Sequence, residues 1–546
     1  MEAAQADHLG VRNGLVTECS YDWLRFQDEE QERLVSAQAR SRQPSFLSMD
    51  TWSRKSLIGR LWNDGIGLLH GARERAAQRY EIEYSVFQPA SAGAAAEGGD
   101  EVRGLEQFRC VVSDCVEAIK DAGIDLQRIA SGSSGSYFAY GTDGRVLGVF
   151  KPKDEEPYGP LSPKWTKWLH RTFFPCFFGR SCLIPNLGYL CEAAASLLDR
   201  RLRTDLVPWT DTVVLESMNF YDSRDKWFCG WNRRAQRKIG SFQLFLEGYV
   251  GADVFLQRYP LPGTYTYSLS TARSGADSGD FSWTESTLHQ LRVQLEKLII
   301  LDYIMRNTDR GLDNWMINVR EVDGAWQLRL AAIDNGLSFP WKHPDEWRSY
   351  PYGWLYLPLD IINQPFTRET REHFLPILRS VGWWETSYLE FHALFSRDAE
   401  FKERMWKKQW AVVKGQAFNV LETLKHPGQG PLELVRRTRC LVFDDVLHVP
   451  AQNPPLNIIR SAINDELPVA SSPMILSSVP EGSILFDFAQ FPDRKIPDDH
   501  ERQSIQDDPS QALLPDMPSG RYIATKQVIV ERLQLCNSKP PTFTWC

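Results

Sequence analysis

The period of apolar and polar positions changes several times along this chain, and each change marks an element. Residues 124–130 (IDLQRIA) and 137–151 (YFAYGTDGRVLGVFK) are apolar stretches with β-rich composition, and Leu147, Val149 and Lys151 share one face by period two. They predict strands, with a tight turn at 141–144, separated by the small-residue run SGSSGS at 131–136. The period then lengthens. From Tyr189 to Arg203, Leu190, Ala194, Leu197 and Leu198 recur at three-to-four spacing and predict a helix whose buried stripe excludes Glu192. Leu288, Leu291, Leu295, Leu298 and Ile299 predict a second amphipathic helix, and further helices are expected over 104–121 and 371–426. The apolar run QLRLAAI (327–333) closes a predicted strand hairpin just before Asp334-Asn335-Gly336.

The flanks lack such periods. Residues 1–100 hold charged and Gln-rich stretches, a short helix candidate at SRKSLIGRLW and an Ala/Gly tract, so they predict a mostly disordered N-terminal region. From 455 to 546 Pro, Asp and Ser are enriched, predicting a largely disordered tail in which TKQVIVERLQL forms a short ordered element. The ordered α+β body is expected at 101–454, with a Gly/Ser/Thr-rich variable insertion at 261–284.

Candidate chemistry gathers at the ends of the predicted strands. Residues 306–315 read RNTDRGLDNW, and Asp309 and Asn314 keep the spacing of the protein-kinase catalytic loop, although Thr308 stands where that motif has Arg. Phosphoryl transfer needs a carboxylate to orient the attacking hydroxyl, then an amide and a second carboxylate to hold Mg2+. Asp309, Asn314 and Asp334 offer that set, while a polar turn whose Asp and Asn cap backbone groups is an equally simple reading of the loop alone. Upstream, Ser131, Gly132, Ser133, Ser134, Gly135 and Ser136 suit a loop whose N–H groups approach phosphate, and Lys151 ends the following strand as a phosphate ligand. A flexible connector and an exposed strand end are the alternatives for each in isolation. Their order along the chain favours a nucleotide site.

The runs SGSSGSYF, VFKPKDEEPYGPLSPKWTKWL, NLGYLCEAAASLLDRRL, GSFQLFLEGY, LDYIMRNTDRGLDNW and AAIDNGLSFPWKHP closely resemble the type II phosphatidylinositol 4-kinases, fungal-style members among them, over roughly 122–450. The resemblance implies a bilobal protein-kinase-like (lipid kinase) fold, with an N-lobe at about 101–240 and a C-lobe at about 241–454. It implies ATP and Mg2+ as cofactors and transfer of the γ-phosphate to the 4-hydroxyl of phosphatidylinositol. By the same resemblance Glu192 turns to Lys151 as an ion pair, and Gln243, Leu244, Phe245 and Leu246 form the connector that binds adenine, with Val149 packing on the base. Glu156, Pro157 and Tyr158 align with a substrate-contact segment. Trp341, Trp347, Tyr350, Tyr352 and Trp354 border the head group or lipid, and VGADVFLQRY matches a further membrane contact.

Charge and cysteine content narrow the partners. Net charge is −8, from 62 basic and 70 acidic residues, which gives no support to nucleic-acid binding. Between Lys164 and Arg180 there is no acid, and Lys164, Trp165, Lys167, Trp168, Phe173, Phe174, Phe177 and Phe178 interleave cation and aromatic. The acid-free run WNRRAQRK at 231–238 is a second basic patch. Such a surface suits an anionic leaflet, with a solvated basic face as the alternative. No run is apolar enough to span a bilayer, so a peripheral enzyme on the cytosolic face of Golgi, endosome, vacuole or plasma membrane is expected. The ten Cys form no C-x-x-C pairs. Where many family members carry C-C-P-C-C, this chain has Phe173-Phe174-Pro175-Cys176-Phe177-Phe178, leaving Cys176 as the candidate for S-palmitoylation, with Cys182 nearby. The nineteen Trp are expected mostly in the core, the remainder at interfaces. A protein kinase and a catalytically silent membrane-bound adaptor are the competing readings, and neither accounts for KPKDEEPYG.

Overall fold

The alternation around Lys151 becomes the central strand of a five-stranded sheet. The computed structural model describes residues 80–87, 99–129, 135–156, 180–221, 235–262, 281–344, 350–450 and 525–536. One unit joins 1–446 to 528–546, and a second, 447–527, is described only at its two ends, each part of a strand. In chain order the elements begin with β1 (Ile82–Tyr84), α1 (Gly99–Lys120), β2 (Gln127–Arg128), β3 (Tyr137–Tyr140), β4 (Val146–Pro152), α2 (Gly188–Leu202), β5 (Thr210–Ser217) and β6 (Gln236–Leu244). Strands β2 to β6 form an antiparallel sheet in the order β2-β3-β4-β6-β5. Alternate residues point to opposite faces. Phe150, Phe242, Val213 and Leu215 pack outward with Phe108, Val112 and Cys115 of α1, while Val149 and Lys151 face the other way. Strand β6 stays laddered to β4 as far as Leu244 and to β5 as far as Gln243, so the sheet of the first lobe continues beyond residue 240.

The second lobe continues with β7 (Val250–Gly251), α3 (Ala252–Arg258), α4 (Glu285–Ile304), β8 (Trp315–Val322), β9 (Ala325–Ala332), α5 (Leu359–Ile362), α6 (Arg368–Arg379), α7 (Val381–Phe395), α8 (Glu403–Leu424) and α9 (Pro431–Arg436). Helix α4 starts in a capping box, with the Thr287 N–H donating to Thr284 Oγ1 at 3.2 Å and the Thr284 N–H to Thr287 Oγ1 at 2.9 Å, an arrangement worth about 1 kcal/mol. The β8–β9 hairpin turns on Asp323-Gly324, both at positive φ (52° and 76°), the conformation that tight hairpins select Asp-Gly for. Trp383, Trp384, Trp406 and Trp410 are buried and form a stacked and edge-on cluster.

The chain ends with β10 (Cys440–Pro450) and β11 (Thr525–Leu535), which join β1 in a three-stranded sheet ordered β1-β11-β10. The run TKQVIVERLQL is therefore a strand over its whole length, and Ile82 pairs in parallel with Ile529. The expected ordered element TKQVIVERLQL thus joins the body, and so does the short strand β1 from the N-terminal region. Neither β1 nor β11 can satisfy its backbone alone but each does so beside the other. Ile82, Phe87 and Ile529 enter the main core.

Candidate functional site

Lys151 Nζ lies 2.5 Å from Glu192 Oε1 and 3.1 Å from Asp334 Oδ1, which brings β4, α2 and the end of the β8–β9 hairpin to one point. Glu192 is 2 % exposed although it lies off the predicted stripe. Helix α2 packs on β5 and β6 and also on α7, so Tyr189 to Ser196 are all buried and a one-sided stripe does not describe it. The Glu192 carboxylate is doubly engaged, since Oε2 accepts the Asn335 N–H at 2.9 Å. Burial alone would lower the Lys151 ammonium, but the Asp334 and Glu192 carboxylates hold it above its ordinary range. Reciprocally, the Lys151 cation keeps the Asp334 carboxyl below its usual value against the partial desolvation of the cleft, although the Asp334 side chain is 53 % exposed. Asp334 sits at φ 54°, a left-handed conformation that costs a non-glycine residue roughly 1 kcal/mol or more and is retained where surrounding contacts impose it.

The catalytic-loop segment leaves the C-terminus of α4 and is stitched to the segment after Asp334. The Thr308 N–H and hydroxyl both donate to Leu337 O, at 3.0 and 2.8 Å, and the Phe339 N–H donates to Met305 O at 2.8 Å. Asn307 Oδ1 accepts the Asp309 N–H at 2.8 Å, and Asn314 Nδ2 donates to Asp309 O at 2.6 Å. With Nδ2 turned inward, Asn314 Oδ1 and the Asp334 carboxylate are hard oxygen donors of the kind Mg2+ takes beside phosphate oxygens. Gly353 packs against the same loop so closely that a Cβ would lie 1.4 Å from Arg310 O. Arg310 is buried, grips both Asp302 oxygens at 3.0–3.1 Å, and donates to Ile333 O at 2.6 Å and to Asn335 Oδ1. Burial pushes the Asp302 carboxyl up, and the Arg310 guanidinium opposes it. Arg310 thus fixes the spacing between the Asp309 and Asp334 segments. It stood inside the NTDRGLDNW motif, but local pattern gave it no role, because a buried fork is defined by partners that folding supplies.

Asp309 is 45 % exposed, and its Oδ1 is held at 2.7 Å by Arg180 Nη2. Arg180, Asp309, Lys151, Glu192, Asp334 and Ser241 all border one cavity of about 90 Å³. Sequence reading placed Arg180 only at the end of a basic run, since its partner is 129 positions away.

The remaining predicted residues divide into three groups. Val149 is half-buried on the cleft face opposite Gln243, whose side chain is buried and donates to Thr210 Oγ1 at 3.1 Å. The Leu244 N–H goes to Trp209 O and the Phe245 N–H to Leu147 O, so the connector proper begins later than expected and Leu246 is its first residue beyond these strand-end bonds. Gly135 N–H donates to Glu155 O and Ser136 O accepts from Ile129. Glu156 borders the cavity, but its carboxylate accepts the Gly188 and Tyr189 N–H groups at 3.1 and 2.7 Å and so caps α2; burial pushes it up to about 7, against those hydrogen bonds. Ser131, Gly132, Ser133, Ser134, Pro157, Tyr158, Lys164, Trp165, Lys167, Trp168, Phe173, Phe174, Cys176, Phe177, Phe178 and Trp347 lie outside the described residues. Trp354 corrects the sequence reading. It is 3 % exposed, stacks on Tyr352 with centroids 5.1 Å apart, and belongs to the core, because Tyr352 in turn stacks on Tyr303 of α4. No helix among the described residues is long and apolar enough to cross a membrane.

The family model for phosphatidylinositol 3- and 4-kinase matches residues 132–420. Phosphatidylinositol 4-kinase LSB6 of Saccharomyces cerevisiae is 49 % identical over 625 aligned positions spanning 100 % of both chains. Phosphatidylinositol 4-kinase type 2-alpha of Danio rerio is 41 % identical over 62 % of this chain and 77 % of its own, and type 2-beta of the same organism 37 % identical over 71 % and 82 %.

Proposed function

Since the chain belongs to the phosphatidylinositol 3- and 4-kinase family and is a type II phosphatidylinositol 4-kinase, we propose that Asp309 is its general base and that Lys151, Asn314 and Asp334 bind the nucleotide end of the reaction. The activity itself, transfer of the ATP γ-phosphate to the 4-hydroxyl of phosphatidylinositol, follows from the family. The observation that carries the residue assignment is the convergence of Lys151, Asp309 and Asp334 on one cavity.

Lys151, oriented by Glu192, meets the nucleotide phosphates, and the loop from Ser131 to Ser136 covers them. Leu246 offers its backbone to the adenine edge beside Val149. Asp309 accepts the 4-hydroxyl proton as the new O–P bond forms and the bond to ADP breaks. Asn314 Oδ1 and Asp334 would hold Mg2+, which would supply charge neutralisation at the phosphate oxygens. Glu156 acts through the N-terminus of α2, keeping Glu192 in register. The interleaved cations and aromatics at 164–178 make the enzyme peripheral on an anionic cytosolic leaflet, with the phenylalanines as the wedge and Cys176 as the acylation site. Trp354 has no part in that surface.

Incubation with labelled ATP, Mg2+ and phosphatidylinositol micelles tests the base. Asp309→Ala should lower kcat by 10²-fold or more while ATP affinity stays within a few-fold. An equal loss of ATP affinity would remove Asp309 from that role. Binding to phosphatidylinositol-containing vesicles, lost in a Lys164→Glu/Lys167→Glu variant, tests the membrane face; unchanged sedimentation would exclude it.

A further inference from the structure

Among the described residues bordering the cavity the basic ones are Lys151 and Arg180, and each is paired with a carboxylate assigned to the reaction: Lys151 with Asp334, Arg180 with Asp309. The placement of Arg180 is built rather than incidental. Its turn is pinned from the far side, with the Trp341 indole N–H donating to Ser181 O at 3.0 Å and the Trp341 backbone N–H to Cys182 O at 2.9 Å. Its guanidinium lies 5.3 Å from the centre of the Tyr350 ring, and the side chain is only 17 % exposed. Backbone, ring and carboxylate together hold the cation at the tip of Asp309.

Both substrates bring phosphate into this cleft, ATP as the triphosphate and the lipid as its phosphodiester. A guanidinium presents several N–H groups in one plane and can serve a carboxylate and a phosphate oxygen together, which an ammonium does with less geometric control. We propose that Arg180 is a further functional residue of this kinase, orienting Asp309 through Oδ1, so that Oδ2 meets the inositol hydroxyl, and receiving a phosphate oxygen of the reacting substrates. The inference rests on the assignment of Asp309 as base. It adds a second cation on the acceptor side, where motif reading supplies none. The ligand chemistry is a phosphate oxygen, from either the transferring γ-phosphoryl or the lipid diester.

The test is steady-state kinetics of the full chain on phosphatidylinositol micelles, with Arg180→Gln and Arg180→Lys, alongside lipid-independent ATP hydrolysis and thermal melting. Arg180→Gln should lose roughly a hundredfold in kcat/KM for lipid transfer, as for loss of one transition-state donor, with Arg180→Lys intermediate and Tm within about 2 °C of the parent. If the ligand is the γ-phosphoryl, hydrolysis falls with transfer at unchanged ATP KM. If it is the diester, the KM for phosphatidylinositol rises and hydrolysis is retained. Values of kcat and both KM within twofold of the parent in either variant overturn the proposal, as does a loss that merely tracks the unfolded fraction. Asp309→Asn measured in parallel separates the premise: full activity there sinks the base assignment, whereas an Arg180→Gln effect that persists in the Asp309→Asn background still reports the phosphate contact.

Discussion

Replacing Glu531 by Gln tests whether the C-terminal strand is a structural part of the kinase body. Lys414 on α8 is fully buried, with Nζ 2.6 Å from Asp444 Oδ1, 2.6 Å from Glu531 Oε1 and 3.0 Å from the Tyr80 hydroxyl. Glu531 also accepts the Ser85 hydroxyl at 2.8 Å and the Val86 N–H at 3.0 Å, and Tyr80 donates to Asp444 at 2.6 Å. One cation therefore ties β10, β11 and the segment around β1 to the largest helix of the second lobe. Burial would lower the Lys414 ammonium, but the two carboxylates hold it above its ordinary value, so it stays charged. Glu531→Gln keeps the shape and removes one of the two anions. Breaking a buried pair costs about 3–5 kcal/mol, and the surviving Asp444 places this case near 3. At about 2.1 cal/mol/K per residue over roughly 350 cooperative residues, that is a Tm lower by about 4 °C. Melting followed by tryptophan fluorescence reads it directly, because Trp410 donates to Tyr80 and Trp384 lies 6.0 Å from the Lys414 cation. Lys414→Met with Glu531→Leu should cost less than the two single changes added, since the Lys414–Glu531 attraction is lost only once and the double variant leaves no unpaired Glu531 carboxylate. A Glu531→Gln Tm within 1 °C of the parent, or strict additivity in the double variant, would refute a paired buried charge here.

Glu192→Gln should raise the KM for ATP about tenfold by loosening Lys151 and, because Glu192 is as buried as Glu531, should also lower Tm by roughly 4 °C; unchanged ATP kinetics would show that the ion pair does not orient the lysine. Trp354→Ala should destabilise by about 3–5 kcal/mol as a core cavity while leaving vesicle binding of the folded fraction intact, and the reverse pattern would return Trp354 to the surface. Burial pushes the His343 imidazole down to about 4, and it bonds Cys440 O at 3.0 Å as a neutral ring. The unfolded chain binds that proton from about 6.5 downward, so stability is present above pH 6.5 and lost as pH falls toward 4, by about 3 kcal/mol in all. Urea midpoints across that range, compared with His343→Gln, should show a flatter acid limb in the variant; parallel limbs would assign the acid loss elsewhere.

Spacing and period alone determined a good part of this protein. The strand face carrying Lys151, the helices α2 and α4 and the β8–β9 hairpin are local patterns that backbone preference and burial suffice to write, and Asp309, Asn314 and Asp334 are legible as a candidate set from their spacing and order. What tertiary structure decided has no local signature. Glu192 is buried because sheet and helix cover α2 on two sides, whereas a stripe rule assumes one covered side and leaves the other to solvent. Trp354 packs on Tyr352, which in turn stacks on Tyr303, though an aromatic in a polar segment reads equally well as an interfacial residue. Arg180 finds Asp309 across 129 positions, Lys151 finds Asp334 across 183, and Tyr80 finds Asp444 across 364. Partners this far apart in sequence leave no periodic trace, and a buried charge such as Glu192 keeps its place only where the fold supplies the group that pairs with it.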